Sequence, residues 1–174
     1  MARDEYTEAV ENILRDYYKK RWKLDHVISQ AEKLNRDIEE INARIQQDIY
    51  IIRIPGLAGT NYEAVKASSH SNEGLERCMI ELEDKIEKLK MEMAEKAQKR
   101  DSLEMKKRAL EEEIAETGVE LVLQIMTETE QQVLDQKFIY MRNFTGTGRE
   151  LNMTEGAIRY WYQKALERFI DRIA

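Results

Sequence analysis

From Val10 to Ile52 apolar residues recur in alternating steps of three and four. Val10, Ile13, Tyr17, Leu24, Val27, Ala31, Leu34, Ile38, Ile41, Ile45 and Ile52 fill 11 of 13 positions in one register, and Lys20 and Asp48 take the other two. This spacing draws a single stripe along a helix, the seam of a coiled coil, with Glu, Lys, Arg and Gln on the other faces. A helix over the span is about 65 Å long at a rise of ~1.5 Å per residue. Pro55-Gly56 stops it, because proline lacks the N–H that the next turn needs. Residues 54–72 break the helical pattern, and Ser71 or Asn72 is placed to cap the next helix. From there a second seam runs through Leu75, Met79, Leu82, Ile86, Leu89, Met93, Leu103, Leu110 and Ile114, interrupted by Lys96, Arg100 and Lys107. The Thr117-Gly118 pair marks its end or a kink.

Two long seams joined by a loop most simply fold back on one another. The expected fold is all-α: a long antiparallel coiled-coil helical hairpin over residues 1–118, with a loop at about 54–72, followed by a C-terminal domain over 119–174. Pairing between chains, which would make a homo-oligomer, is the alternative use of the same seams.

The pattern changes character after Met126. Thr127 and Glu130 have the capping-box spacing, and the helix behind them turns Val133, Leu134, Phe138 and Met141 inward. Asn143 to Gly148 reads as a turn rich in Thr and Gly, with Gly148 where a Cβ would crowd a close helix crossing. Asn152 tolerates the left-handed conformation of a tight helix-helix turn, Thr154 caps the last helix, and Glu155 sits in its first turn. In that helix Ile158, Trp161, Ala165, Phe169 and Ile173 form the core face. The opposite face offers Glu155, Arg159, Tyr160, Gln163 and Lys164, residue types that contact base edges and phosphates.

Composition narrows the partners. The formal charge of -6 excludes a general nucleic-acid coat, yet residues 127–174 carry seven cationic and seven acidic side chains and are locally neutral. One cysteine, Cys78, excludes an intramolecular disulfide and fits a reducing compartment such as the cytoplasm. No apolar run is long enough to span a membrane. His26 and His70 lack ligand-spaced partners, and no nucleophile, phosphate loop or paired carboxylates assemble, so neither enzyme chemistry nor a metal or cofactor is expected. The cluster Tyr17-Tyr18-Lys19-Lys20-Arg21-Trp22-Lys23 combines cations with aromatics, bracketed by Asp16 and Asp25, and reads first as a solvated helix face.

The stretch Thr147 to Leu166, with its leading Met126-Thr127, Glu130, Val133-Leu134 and Phe138, resembles the helix-turn-helix of region four of bacterial sigma factors. The likeness covers roughly residues 126–172, and the whole architecture is similar to phage late regulators of the ArpU/RinA type. It implies that Glu155, Gly156, Arg159 and Tyr160 face the major groove of double-stranded DNA; Arg159 is placed for a bidentate base contact, and Gln163, Lys164 and the cap at Thr154 are placed to position the phosphates. Gly156 stands where that family commonly has a larger polar residue. The resulting expectation is a phage-encoded, sequence-specific DNA-binding transcription regulator that acts at a promoter in the bacterial host cytoplasm by recruiting or contacting RNA polymerase. A small-terminase-like packaging subunit and a coiled-coil adaptor that does not bind DNA are the alternatives.

Overall fold

The computed structural model describes residues 3–53 and 69–173, and the regular structure among them is entirely helical. The elements are α1 (Arg3–Arg53), α2 (Ser69–Glu116), α3 (Val119–Leu123), α4 (Glu128–Phe138), α5 (Phe144–Leu151) and α6 (Glu155–Ile173). No helix among the described residues is long and apolar enough to cross a membrane. Two compact units divide the chain: one is Met1–His26 with Lys106–Ala174, the other Val27–Met105.

In the first unit, Val10, Leu14, Tyr17 and Tyr18 of α1 and Ile114 of α2 share one core with Val119, Val122, Met126 and the buried faces of α4 and α6. The first turns of α1 therefore share a core with the C-terminal helices. Leu14 and Tyr18 lie one position past the Ile13 and Tyr17 seam, and both are buried. A two-helix seam needs a narrow apolar stripe, whereas packing several helices on one side of α1 needs a wider arc. The polar seam position Lys20 is answered by charge: its Nζ lies 3.1 Å from Asp16 and 3.3 Å from Glu113. Gly118 takes a left-handed φ of 65° between α2 and α3, which allows the change of direction anticipated there.

The second unit gathers Ile41, Ile45 and Ile86, with Ile49, Leu89 and Met93 against them. Its polar seam residues are again paired. Asp48 meets Lys85 at 2.9 Å and Lys96 meets Asp37 at 2.8 Å. Eleven residues forward along α1 thus correspond to eleven back along α2. The Lys96 hydrogen bond holds the Asp37 carboxyl below the usual carboxylate range, and the same bond raises the Lys96 ammonium. The interruptions at Lys20, Asp48 and Lys96 are thus cross-helix ion pairs, whereas Arg100 pairs with its neighbour Asp101. The expected caps Ser71 and Asn72 instead fall inside α2, which begins at Ser69. The loop at 54–68 and the side chain of Cys78 lie outside the described residues.

Leu14→Ala tests whether the C-terminal helices rest on α1. Removing this fully buried side chain is expected to cost about 2–5 kcal/mol in urea unfolding. Amide exchange should then accelerate in α4 and α6 as well as in α1. If only α1 frays, the shared core is not what holds the C-terminal helices.

Candidate functional site

The site is built from the last three helices. Thr127 caps α4: its hydroxyl accepts from the Glu130 N–H, and the Glu130 carboxylate accepts from the Thr127 N–H at 2.7 Å, closing the box read from the sequence. Glu130 is fully buried and also accepts from Arg168 Nε of α6 at 2.9 Å. Burial alone would raise its pKa, but the bonds from Arg168 and Thr127 together outweigh it and hold the carboxyl below its ordinary value. The cap of α4 is in this way also a clamp on α6.

The chain leaves α4 through Met141, which has a left-handed φ of 51° and is solvent-exposed. The core position anticipated for Met141 is therefore not occupied: the helix has already turned, with the Arg142 N–H donating to Gln136 O at 3.0 Å. Residues Asn143 to Gly148, expected as a turn, instead cap and begin α5. Asn143 Oδ1 accepts from the Gly146 N–H at 2.7 Å, and Thr147 and Gly148 are buried. Residues with weak helix propensity hold a helix here because tertiary contacts on one face stabilise it.

Gly148 and Asn152 make the tight link from α5 to α6. Asn152 is left-handed at φ 55°, and the Met153 N–H returns to Gly148 O at 2.8 Å. A Cβ on Gly148 would lie 2.6 Å from Met153 O, a backbone atom with little room to move. Thr154 Oγ1 then accepts from the Ala157 N–H at 3.2 Å, the N-cap expected for the last helix.

In α6 the buried stripe is Ile158, Tyr162, Ala165, Leu166 and Phe169. This corrects the core face assigned to Trp161, which is half-buried at the edge of the core. Tyr162 takes the interior place because it is satisfied there. Its hydroxyl donates to Glu11 at 2.6 Å, and its ring meets Phe144 edge-on at 5.3 Å. Burial, followed by the Glu11 contact, pushes the Tyr162 hydroxyl far above its ordinary pKa, so it remains a donor. The Ile173 side chain lies outside the described residues.

Turning Tyr162 inward turns the candidate residues outward. Thr154, Gly156, Arg159, Tyr160 and Gln163 are exposed, and Glu155 and Lys164 are partly so. They do not act as independent groups. Glu155 accepts from Arg159 at 2.7 Å and from Thr145 Oγ1 at 2.7 Å, and these two bonds hold its carboxyl below the usual range. The Arg159 guanidinium lies 4.7 Å from the centre of the Phe144 ring, and Lys137 Nζ lies 4.5 Å from it. Lys164 Nζ sits 5.0 Å over Trp161 and 5.9 Å from Tyr160.

Lys137, Phe144 and Thr145 join this surface through these contacts, and Arg142 and Arg149 lie just before and on the adjoining α5, although their residue types alone did not single them out. Arg142 pairs with Glu150, and Arg149 is exposed. Their signal was present in the cations flanking Asn143, but it was masked by reading that segment as a loop. Chemically, the surface offers guanidinium, ammonium, amide, phenol and hydroxyl donors, with the Glu155 carboxylate engaged by Thr145 and Arg159. Elsewhere in the same unit an open cleft of about 530 Å³ is lined by Tyr17, Tyr18, Arg21, Asp25, Glu120 and Asp135, among others. There Tyr18 donates to Asp135 at 2.9 Å, and burial with that carboxylate raises its pKa far above the ordinary value. Comparison with models of known families, with curated proteins and with solved structures finds no match.

Two glycines give opposite expectations. Gly148→Ala forces a side chain against backbone and is expected to cost about 1–3 kcal/mol in urea unfolding. Gly156→Ala meets open space in a helix and is expected to gain up to about 1 kcal/mol. Equal effects would contradict the close approach at Gly148.

Glu130 makes stability depend on acid. Its folded pKa lies below its ordinary 4.5, so the charged form favours the fold. That contribution is complete above the ordinary value and is lost as pH falls through the folded one. The stability gap between wild type and Glu130→Gln should be constant near neutral pH and close on acidification below about 4.5. A gap that does not change with pH would mean that Glu130 is not held as a carboxylate.

Proposed function

We propose that this chain is a sequence-specific DNA-binding transcription regulator of phage type, in which α5 and α6 act as a helix-turn-helix. In this reading α6 enters the major groove with Arg159, Tyr160 and Gln163 toward base edges. Thr154, Gly156 and Lys164 approach the backbone, and Lys137, Arg142 and Arg149 supply further phosphate contacts. The observation that carries the reading is a conjunction: a three-residue link pinned by Gly148 and Asn152, followed by a helix whose polar face is open to solvent.

Glu155 gives the surface a reading function. Bonded to Arg159 and Thr145, it fixes the guanidinium before DNA arrives, lowering the entropy lost on contact. Its carboxylate accepts from cytosine N4 and repels phosphate, which favours base contact over general backbone binding. The neutral balance of residues 127–174 implies modest, salt-sensitive binding. In this reading the long helices α1 and α2 pair as an antiparallel coiled-coil hairpin and offer a surface to a second copy or to RNA polymerase, within the bacterial host cytoplasm.

The test is selection of bound duplex fragments, with and without RNA polymerase, read by gel shift. Arg159→Ala is expected to relax preference at one position, by about 1–3 kcal/mol of discrimination. Enrichment only with polymerase would assign recruitment to the hairpin. Absence of duplex retention even at low salt would contradict the proposal.

A further inference from the structure

The outer side of α1 carries a second surface that the last helices do not use. Arg15, Lys19, Trp22 and His26 recur at steps of four, three and four, which places them on one side of the helix, with Lys23 at its border. Trp22 is 66% exposed, an unusual position for so large an apolar side chain. Its ring lies parallel to that of His26, at 5.8 Å between centroids and 4° between planes, so the two make a flat stacked platform.

Two acids that bracket this strip in sequence are bonded to other groups, and a third lines the neighbouring cleft. Glu11 accepts from the Tyr162 hydroxyl at 2.6 Å, Asp16 is bound to Lys20 at 3.1 Å, and Asp25 lines the cleft beside Tyr17 and Arg21. Among the described residues Lys19 and Lys23 have no carboxylate partner, and Arg15 bonds Asn12 at 3.2 Å with Glu11 at 4.0 Å. The local surface is therefore a row of cations around an open indole, in a chain whose net charge is -6.

We infer that this strip binds single-stranded nucleic acid, with a base stacked on Trp22 and neighbouring phosphates held by Lys19 and Lys23. A π-face in water and cations one helical turn apart are the two elements of sequence-tolerant single-strand binding. A duplex does not fit the platform, because its bases are covered above and below by their neighbours. A lipid surface fits less well, since an interfacial helix needs an apolar face and the indole here is ringed by Arg15, Lys19, Lys23 and His26. A second copy meeting this patch about a two-fold axis would set like charges against one another.

The test uses the full chain carrying Trp161→Phe, so that Trp22 is the one remaining indole, titrated with oligothymidylate at low salt. Saturable, salt-sensitive quenching is expected. By anisotropy of labelled oligothymidylate, Trp22→Ala should weaken binding at least about tenfold, while Trp22→Phe, which keeps a stacking face, stays within about threefold. Lys19→Gln and Lys23→Gln should each lower the salt dependence by roughly 0.7 in log–log slope. Circular dichroism checks that helicity is kept. Arg159→Ala should leave oligothymidylate binding intact, which separates this surface from the duplex-reading one. Unchanged binding by Trp22→Ala overturns the inference. So does quenching by phosphatidylserine-containing vesicles but not by oligothymidylate, or an indole shift that depends only on protein concentration.

Discussion

The C-terminal helices close on four side chains from the other end of the chain: Val10, Leu14, Tyr17 and Tyr18. Helices of five, eleven and eight residues, as α3, α4 and α5 are, do not hold their shape in water alone. They become stable by burying one face each against a common core, and α1 supplies part of it. Three polar pairs enter this core with their hydrogen bonds made, whereas the buried Gln136 Oε1 has no partner among the described residues. Tyr18 donates to Asp135, Tyr162 to Glu11, and Arg168 to Glu130, so each hydroxyl or charge removed from water keeps a hydrogen bond.

That core sets the orientation of α6. With Ile158, Tyr162, Ala165 and Phe169 turned inward, the helical period leaves Arg159, Tyr160 and Gln163 on the outside. The proposed DNA-reading surface is thus a consequence of packing on its reverse side. Gly148 and Asn152 add the second constraint, since only a residue without Cβ admits the approach of Met153 O, and Asn accepts the left-handed turn. The engaged Glu155–Arg159 pair then limits which donors are free to reach a ligand.

Features governed by local chemistry were legible in the sequence. The Thr127–Glu130 box, the Thr154 cap, the left-handed Asn152, the crowding at Gly148 and the end at Gly118 all follow from residue type and spacing. The seam register was legible too, and its polar exceptions Lys20, Asp48 and Lys96 find charged partners on the facing helix. Properties decided by tertiary context were not. Leu14 and Tyr18 broke the strict heptad because α1 faces more than one helix there. Tyr162 and Trp161 are adjacent and both amphipathic, and only the positions of Glu11, Phe138 and Phe144 decide which one goes inside. Segment 143–148 looked like a turn because its Gly and Thr content hides a helix maintained by packing.

The central claim is that the outward face of α6 meets duplex DNA. The most direct measurement is hydrogen exchange of the full chain with and without a duplex recovered by selection. The account predicts new protection concentrated in Thr154–Lys164 and the first turn of α5. Protection absent there, or gained only along α1 and α2, would contradict it.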